Sequence, residues 1–160
     1  MTNFVRLACA LLAASNLKAQ SDASLQVTRP DGSTVSLSAA QLAALPRVAG
    51  QASAHGNSFT FEGSDLRDVL RLAAIGPVDS LRGAQLRRVV IFVAADGYSA
   101  LIALSDMDAT IGGRRVVLVD REDARPLSAE NGPRRIIVDG DQRPTRWVRQ
   151  VVRLEVVDVR

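Results

Sequence analysis

The sequence contains few side chains that can carry out acid–base or nucleophilic chemistry. Its 160 residues include one histidine, His55, and one cysteine, Cys9. There is no Gly-x-Ser-x-Gly motif, and a hydrolytic nucleophile needs a base within hydrogen-bonding reach. His55 could act as a base or a ligand, although a lone histidine beside Gly56 in a turn is more often an exposed bystander. The sequence therefore excludes the common hydrolytic sites.

Metal-binding and phosphate-binding motifs are also absent from the sequence. Two acidic clusters, at residues 120–123 and 139–141, lack the alternating oxygen ligands of a calcium loop, and we expect both to be solvated turns. The segment at residues 112–115 has two glycines but no following lysine in a strand–glycine–helix context. No metal site is predicted.

Arginine provides almost all of the positive charge. Nineteen of the twenty basic residues are arginine, the exception being Lys18. The planar guanidinium group of arginine suits carboxylate, sulfate or phosphate groups, although pairing with surface acids explains most arginines. The formal charge of +3 falls by two, to +1, if Arg6 and Lys18 are removed with a leader segment. The charge thus gives no reason to expect a nucleic acid partner.

The first residues have the pattern of a secretory signal. A start with one positive charge, Arg6, precedes a short apolar stretch at residues 7–14 and then small residues. We predict a signal peptide at residues 1–19, cleavage near Ala19 and a single mature domain at residues 20–160. The mature protein should be periplasmic or secreted, without stable membrane insertion. Because Cys9 lies within the signal, the mature chain would have no thiolate.

The central feature of the mature chain is a predicted hairpin around Asp96-Gly97. An apolar run at residues 89–95 precedes this dipeptide, and a second apolar run ends at residue 104. Asp-Gly favours a tight reversal, and an apolar run without alternation predicts a strand buried on both faces. Tyr98, the only tyrosine, lies at the bend, where an exposed polar tip can serve a site.

Strands dominate the remaining pattern, and the helices are few and short. One helix should begin after Ser38 and end before Pro46, and another should begin at Gly63-Ser64 with Ser64 as its N-cap. Residues 120–133 should form a surface loop. The sequence thus predicts an α+β fold rather than a doubly wound sheet. The other predicted strands are at Leu25–Thr28, residues 33–37, residues 58–61, residues 116–119, Arg135–Val138 and the C-terminal end, and the weakly patterned residues Arg47–Ala54 should form an extended segment.

Four segments in order resemble the molybdopterin-binding oxidoreductase domain of the sulfite oxidase family. The resemblance covers the chain from about Leu25 onward and implies a mixed, mostly β sulfite-oxidase-type fold. The segments are Phe61-Glu62-Gly63-Ser64-Asp65-Leu66, Asp96-Gly97-Tyr98-Ser99-Ala100, Gly132-Pro133-Arg134-Arg135-Ile136-Ile137-Val138 and Arg146-Trp147-Val148-Arg149.

The resemblance also implies roles for individual residues. In the full-length enzymes, the element similar to the one at Tyr98 places its tyrosine beside the molybdenum. The pair similar to Arg146-Trp147 helps to hold the pterin phosphate, and Arg135 corresponds to an arginine at a strand start.

Several departures from the family pattern argue against the cofactor. The enzymes ligate molybdenum through a cysteine, and the equivalent segment at residues 48–54 has none, although molybdenum favours a soft thiolate. Their phosphate-cradling Pro-Gly loop is replaced by Asp139-Gly140-Asp141, whose carboxylates would repel a dianion. The chain is also much shorter. We expect no bound cofactor, although molybdopterin is possible by resemblance.

Three functions fit these features. The first is a binding or accessory module for a small anionic or polar ligand or a periplasmic protein partner. The second is a genuine molybdopterin-dependent oxidoreductase, and the third is a structural scaffold without a ligand. Enzyme activity is left open, with the non-enzymatic module favoured. We expect a shared, positively biased pocket to be bordered by Tyr98, Arg135, Arg146, Trp147 and His55.

Overall fold

The computed structural model describes residues 24–160, which form a mixed, mostly β structure. The predicted signal peptide, its cleavage site and Cys9 lie outside the described residues. Within the described part, three short α-helices accompany ten strands. The helices are α1 (Ala39–Ala43), α2 (Leu66–Leu72) and α3 (Leu104–Met107). The strands are β1 (Leu25–Thr28), β2 (Thr34–Leu37), β3 (Arg47–Ala54), β4 (Asn57–Asp65), β5 (Arg88–Ala94), β6 (Ser99–Ala103), β7 (Val116–Glu122), β8 (Arg125–Pro126), β9 (Arg135–Val138) and β10 (Val151–Asp158).

The first sheet has the order β2-β1-β10-β5-β6 and contains both hairpins predicted from their turn residues. β1 and β2 pair antiparallel, and so do β5 and β6, whereas β1 and β10 run parallel. Gly97 at the central bend has a φ of 86°, which favours glycine. These two turns therefore fold as the sequence predicted.

The prediction that β5 is buried on both faces is wrong for one of them. Its side chains alternate, with Val90, Phe92 and Ala94 buried, while Ile91 and Val93 are only half-buried. An unbroken apolar run therefore does not establish burial on both sides.

The second sheet has the order β3-β4-β7-β8, with β9 also paired to β7. His55 and Gly56 form the β3–β4 turn with φ values of 53° and 82°, as a two-residue hairpin of type I′ requires. β4 is longer than predicted and runs through Ser64, which pairs with Leu118. The predicted Ser64 cap is therefore wrong, and α2 is capped by Asp65, whose carboxylate accepts from the amide of Arg67 at 2.9 Å.

Residues 120–133, which were predicted to form a surface loop, instead begin within the second sheet. β7 continues to Glu122, and β8 pairs back onto it with Glu122 opposite Arg125. The acidic cluster at residues 120–123 is not a solvated turn, because Asp120 binds Arg47 and Glu122 binds Arg135. This acidic cluster thus contributes ion pairs from β7 to β3, on the far side of β4, and to the adjacent strand β9.

The core draws apolar side chains from both sheets and from all three helices. Phe92 on β5, Leu70 on α2 and Ile136 on β9 are among its largest fully buried members. Among the described residues, no helix is long and apolar enough to cross a membrane.

Candidate ligand-binding cavity

A cavity of about 660 Å³ lies where the β3–β4 turn, the β5–β6 bend and residues 144–150 meet. It brings together four of the five residues singled out from the sequence. These are His55, Tyr98, Arg135 and Trp147.

Tyr98 lies at the start of the outgoing strand of the central hairpin. Its backbone amide donates to Asp96 Oδ1 at 2.9 Å, which closes the bend. Its phenol is directed across the cavity and donates to the carbonyl of Thr145 at 2.7 Å. The residue is 52% exposed, so the hydroxyl oxygen can still accept a hydrogen bond from a ligand.

Arg135 forms the buried wall of the cavity and is only 7% exposed. Its Nη1 donates to Glu122 Oε1. Its guanidinium carbon lies 5.5 Å from the ring centre of Phe59 and 5.9 Å from that of Trp147. Its buried Nε has no hydrogen-bond acceptor among the described residues. A buried donor without an acceptor costs about 1–3 kcal/mol, and because Nε is itself shielded from solvent, an oxygen in the cavity would reach it only if the side chain shifted.

Trp147 is a fixed wall rather than a polar contact. Its indole Nε1 donates to the carbonyl of Val138 at 3.1 Å, so the ring's one donor is already used. Phe59 meets it edge to face, with centroids 6.4 Å apart and planes 85° apart. These contacts hold the aromatic pair against Arg135 and limit its movement.

Arg146 does not line the cavity, contrary to the sequence expectation. Its Nε and Nη2 donate to Asp141 at 3.0 and 2.5 Å. These hydrogen bonds raise the pKa of Arg146 above its ordinary value. A carboxylate only five residues away satisfies this guanidinium locally, and Arg114 also approaches the same Asp141 at 3.4 Å.

The cavity does not have the positive bias that was expected. Two lining arginines, Arg135 and Arg149, are balanced by two lining carboxylates, Asp96 and Glu130. Arg149 also binds Glu130 directly, at 2.6 Å. The lining therefore offers polarity and fixed donors rather than an excess of positive charge. His55 is an exposed part of this lining.

Two residues at the site were missed from the sequence, namely Phe59 and Glu122. Phe59 was assigned to a strand with no role in the site, and Glu122 was placed in a solvated acidic turn. No local pattern marks either, because each contacts Arg135 from another strand of the second sheet, beyond the range of a short motif.

The donor set does not fit a molybdenum ion held by a protein thiolate. Residues 24–160 contain no cysteine. The segment that would provide the ligand is β3, whose side chains near the cavity are small. Across the residues that the structure describes, no three His, Cys, Asp or Glu side chains are grouped to hold a metal. We therefore derive no chemical step through that cofactor.

No family model and no curated protein matches this chain. Among solved structures, it is similar to the crystal structure of the sulfane dehydrogenase SoxCD from Paracoccus pantotrophus, with a TM-score of 0.66 and 17% identity. The match covers 88% of this chain and 39% of that chain, so this chain spans about two-fifths of its length. The likeness is one of fold, and it confirms the molybdopterin-type α+β fold class predicted from the sequence.

Proposed function

We propose that this domain is a binding module on an oxidoreductase-type fold, and that its cavity takes a small ligand through an oxygen acceptor. The observation that carries the proposal is the buried guanidinium of Arg135, whose Nε has no acceptor among the described residues. A small shift of the Arg135 side chain would bring Nε to an oxygen of a ligand in the cavity. Tyr98, whose hydroxyl already donates to Thr145, could accept a hydrogen bond from the same ligand.

The ion pairs around the cavity narrow the class of ligand. Glu122 already neutralises Arg135, and Glu130 neutralises Arg149. A dianion would have to displace these carboxylates or bear their repulsion. A polar molecule or a monoanion with one exposed oxygen acceptor suits this lining better.

We expect a small oxygen-bearing ligand to raise the melting temperature of the wild-type protein. The probes are acetate, formamide, sulfite, sulfate and phosphate, measured by thermal shift and then by calorimetry. Arg135→Lys keeps the charge but loses the Nε–H group. This substitution should lower the affinity for the best probe about tenfold, as expected for loss of one charged hydrogen bond. Tyr98→Phe should lower the same affinity by a smaller factor.

Arg121→Lys is the matched control, because Arg121 is exposed and lies outside the cavity. It should leave binding unchanged. The proposal would be wrong if no probe stabilised the wild type, or if Arg135→Lys and Arg121→Lys bound the best probe equally.

The alternative function is molybdopterin-dependent oxidation, which the family resemblance suggests; the similar solved structure is named as a dehydrogenase, which agrees with oxidation chemistry. We expect protein purified without chelators to contain far less than one molybdenum per chain and not to oxidise sulfite, because the donor set has no thiolate for the metal. Elemental analysis by mass spectrometry tests this. A stoichiometric molybdenum content would establish the cofactor and replace the binding-module proposal.

A further inference from the structure

β3 is longer than the other outer strands in the two sheet orders. It contains eight residues and lies at one end of the second sheet. The other outer strands in the sheet orders, β2, β6 and β8, contain four, five and two residues. In the described part of the chain β3 pairs only with β4. Its sequence has no proline, lysine or bulge, which are features that normally prevent an edge strand from pairing, and its one charged residue, Arg47, lies at its first position.

The β3–β4 turn determines which backbone groups of β3 face outward. In a two-residue hairpin the flanking pair, here Ala54 and Asn57, exchanges hydrogen bonds, and the bonded pairs then alternate. Ala52, Gly50 and Val48 therefore bond to β4. The outward donors and acceptors belong to Arg47, Ala49, Gln51 and Ser53.

Two cavities border this edge. The cavity at Arg135 is lined by Ala54 and His55, and a second one of about 310 Å³ is lined by Gln51, Ala52 and Ser53. Alternate side chains of a strand point to opposite faces, so the three consecutive lining residues Gln51, Ala52 and Ser53 indicate that the second cavity follows the backbone edge itself. Trp147 lines both cavities and lies between them.

We propose that β3 accepts an extended segment of a partner protein as an added strand. An aspartate, glutamate, asparagine or glutamine of that segment enters the cavity at Arg135. This inference rests on the proposed function and identifies its ligand as a side chain of a polypeptide. Alternate residues of a strand are about 7 Å apart, so neighbouring same-face side chains of the segment would enter the cavities on either side of Trp147.

A second copy of this chain fits the edge less well. A two-fold axis perpendicular to the sheet would place the same face of both β3 strands together. That face carries Val48, Gly50, Ala52 and Ala54, none of which has a side-chain oxygen for Arg135. A partner segment with longer polar side chains fits both the edge and the cavity.

The test is selection of short random peptides, displayed on phage, against the immobilised chain. The most enriched peptide is then synthesised, and its affinity is measured by fluorescence anisotropy. Bound peptide should slow hydrogen exchange at the outward amides of Ala49, Gln51 and Ser53. Ala49→Pro removes one outward N–H on an edge where proline is tolerated. It should lower the affinity for the peptide about tenfold. Ala49→Ser retains the N–H and should bind normally.

The variants separate this inference from the proposed function. Ala49→Pro should still bind the small-molecule probes, whereas Arg135→Lys should weaken both probes and peptide. Failure to enrich any peptide, equal binding by Ala49→Pro and Ala49→Ser, or exchange protection outside β3 would overturn the strand addition. Concentration-dependent self-association abolished by Ala49→Pro would also overturn it, in favour of a second copy.

Discussion

Replacing Gly63 with alanine is expected to lower the melting temperature by about 10 °C, because the added methyl group has no space. A Cβ at this position would lie 2.2 Å from the carbonyl oxygen of Leu118 and 2.7 Å from Val119 Cα. Both are backbone atoms of β7, so no side-chain rotation can relieve the overlap. β4 and β7 must separate or the sheet must bend, and thermal denaturation measures the cost.

Gly76→Ala is the matched control for this substitution. A Cβ at Gly76 would meet no atom within 4 Å, and Gly76 is not among the residues with positive φ. The melting temperature of the Gly76→Ala protein should differ from that of the wild type by no more than about 2 °C. If the Gly63→Ala protein were as stable as the Gly76→Ala protein, the spacing between β4 and β7 at Gly63 would be wide enough to hold a methyl group.

The close approach of β4 and β7 at Gly63 also affects the position of residues around the cavity. The register between β4 and β7 shifts between Glu62 and Gly63, so the close approach lies at an irregularity of the sheet. On the same two strands, Phe59 and Glu122 both contact Arg135. A displaced β7 would move Glu122 relative to Phe59, so Gly63→Ala should weaken ligand binding even in molecules that remain folded.

The features predicted correctly from the sequence are those specified by neighbouring residues. Asp96-Gly97 determined the central bend, and Pro30-Asp31-Gly32 determined the first turn. Ser38 and Gln41 form the expected capping box, in which Gln41 Oε1 accepts from the amide of Ser38 at 2.9 Å. In each case the residues that make the structure lie within a few positions of one another, so a short pattern contains the whole interaction.

The features missed depend on pairing across the chain. Ser64 and Asp65 are both good N-cap residues, and the choice between them is made by the ladder that holds Ser64 opposite Leu118. Arg135 and Tyr98 were grouped through the family resemblance, and both line the cavity. Glu122, the ion-pair partner of Arg135, gave no signal in the sequence. Arg146 was misplaced because a motif specifies a residue type and not which carboxylate it will bind.

Asp108 is the second position at which one substitution should have a large effect. Its carboxylate is completely buried. One oxygen accepts from the amide of Leu81 at 2.6 Å, and the other accepts from the amide and hydroxyl of Thr110, both at 2.7 Å. Asp108→Asn would place an NH₂ group against one of these donors and leave a buried N–H without an acceptor. We expect the melting temperature to fall by about 10 °C at neutral pH.

Asp31→Asn is the matched control, because Asp31 accepts from the amide and hydroxyl of Ser33 in the same local arrangement but is exposed. Water can replace the lost interaction there, so its melting temperature should change little. Similar losses in the two variants would show that the burial of Asp108 is not what matters.

The effect of Asp108→Asn should also depend on pH. Hydrogen bonds, first from the amide of Leu81 and then from Thr110, hold the pKa of Asp108 below its ordinary value of 3.8. Since the folded state favours the ionised carboxylate, its contribution is complete above the unfolded pKa and is lost as the pH falls through the folded pKa. Wild type and Asp108→Asn should therefore differ most in melting temperature at neutral pH and progressively less below about pH 4. A difference that stayed constant or grew on acidification would show that Asp108 is not held as a buried carboxylate.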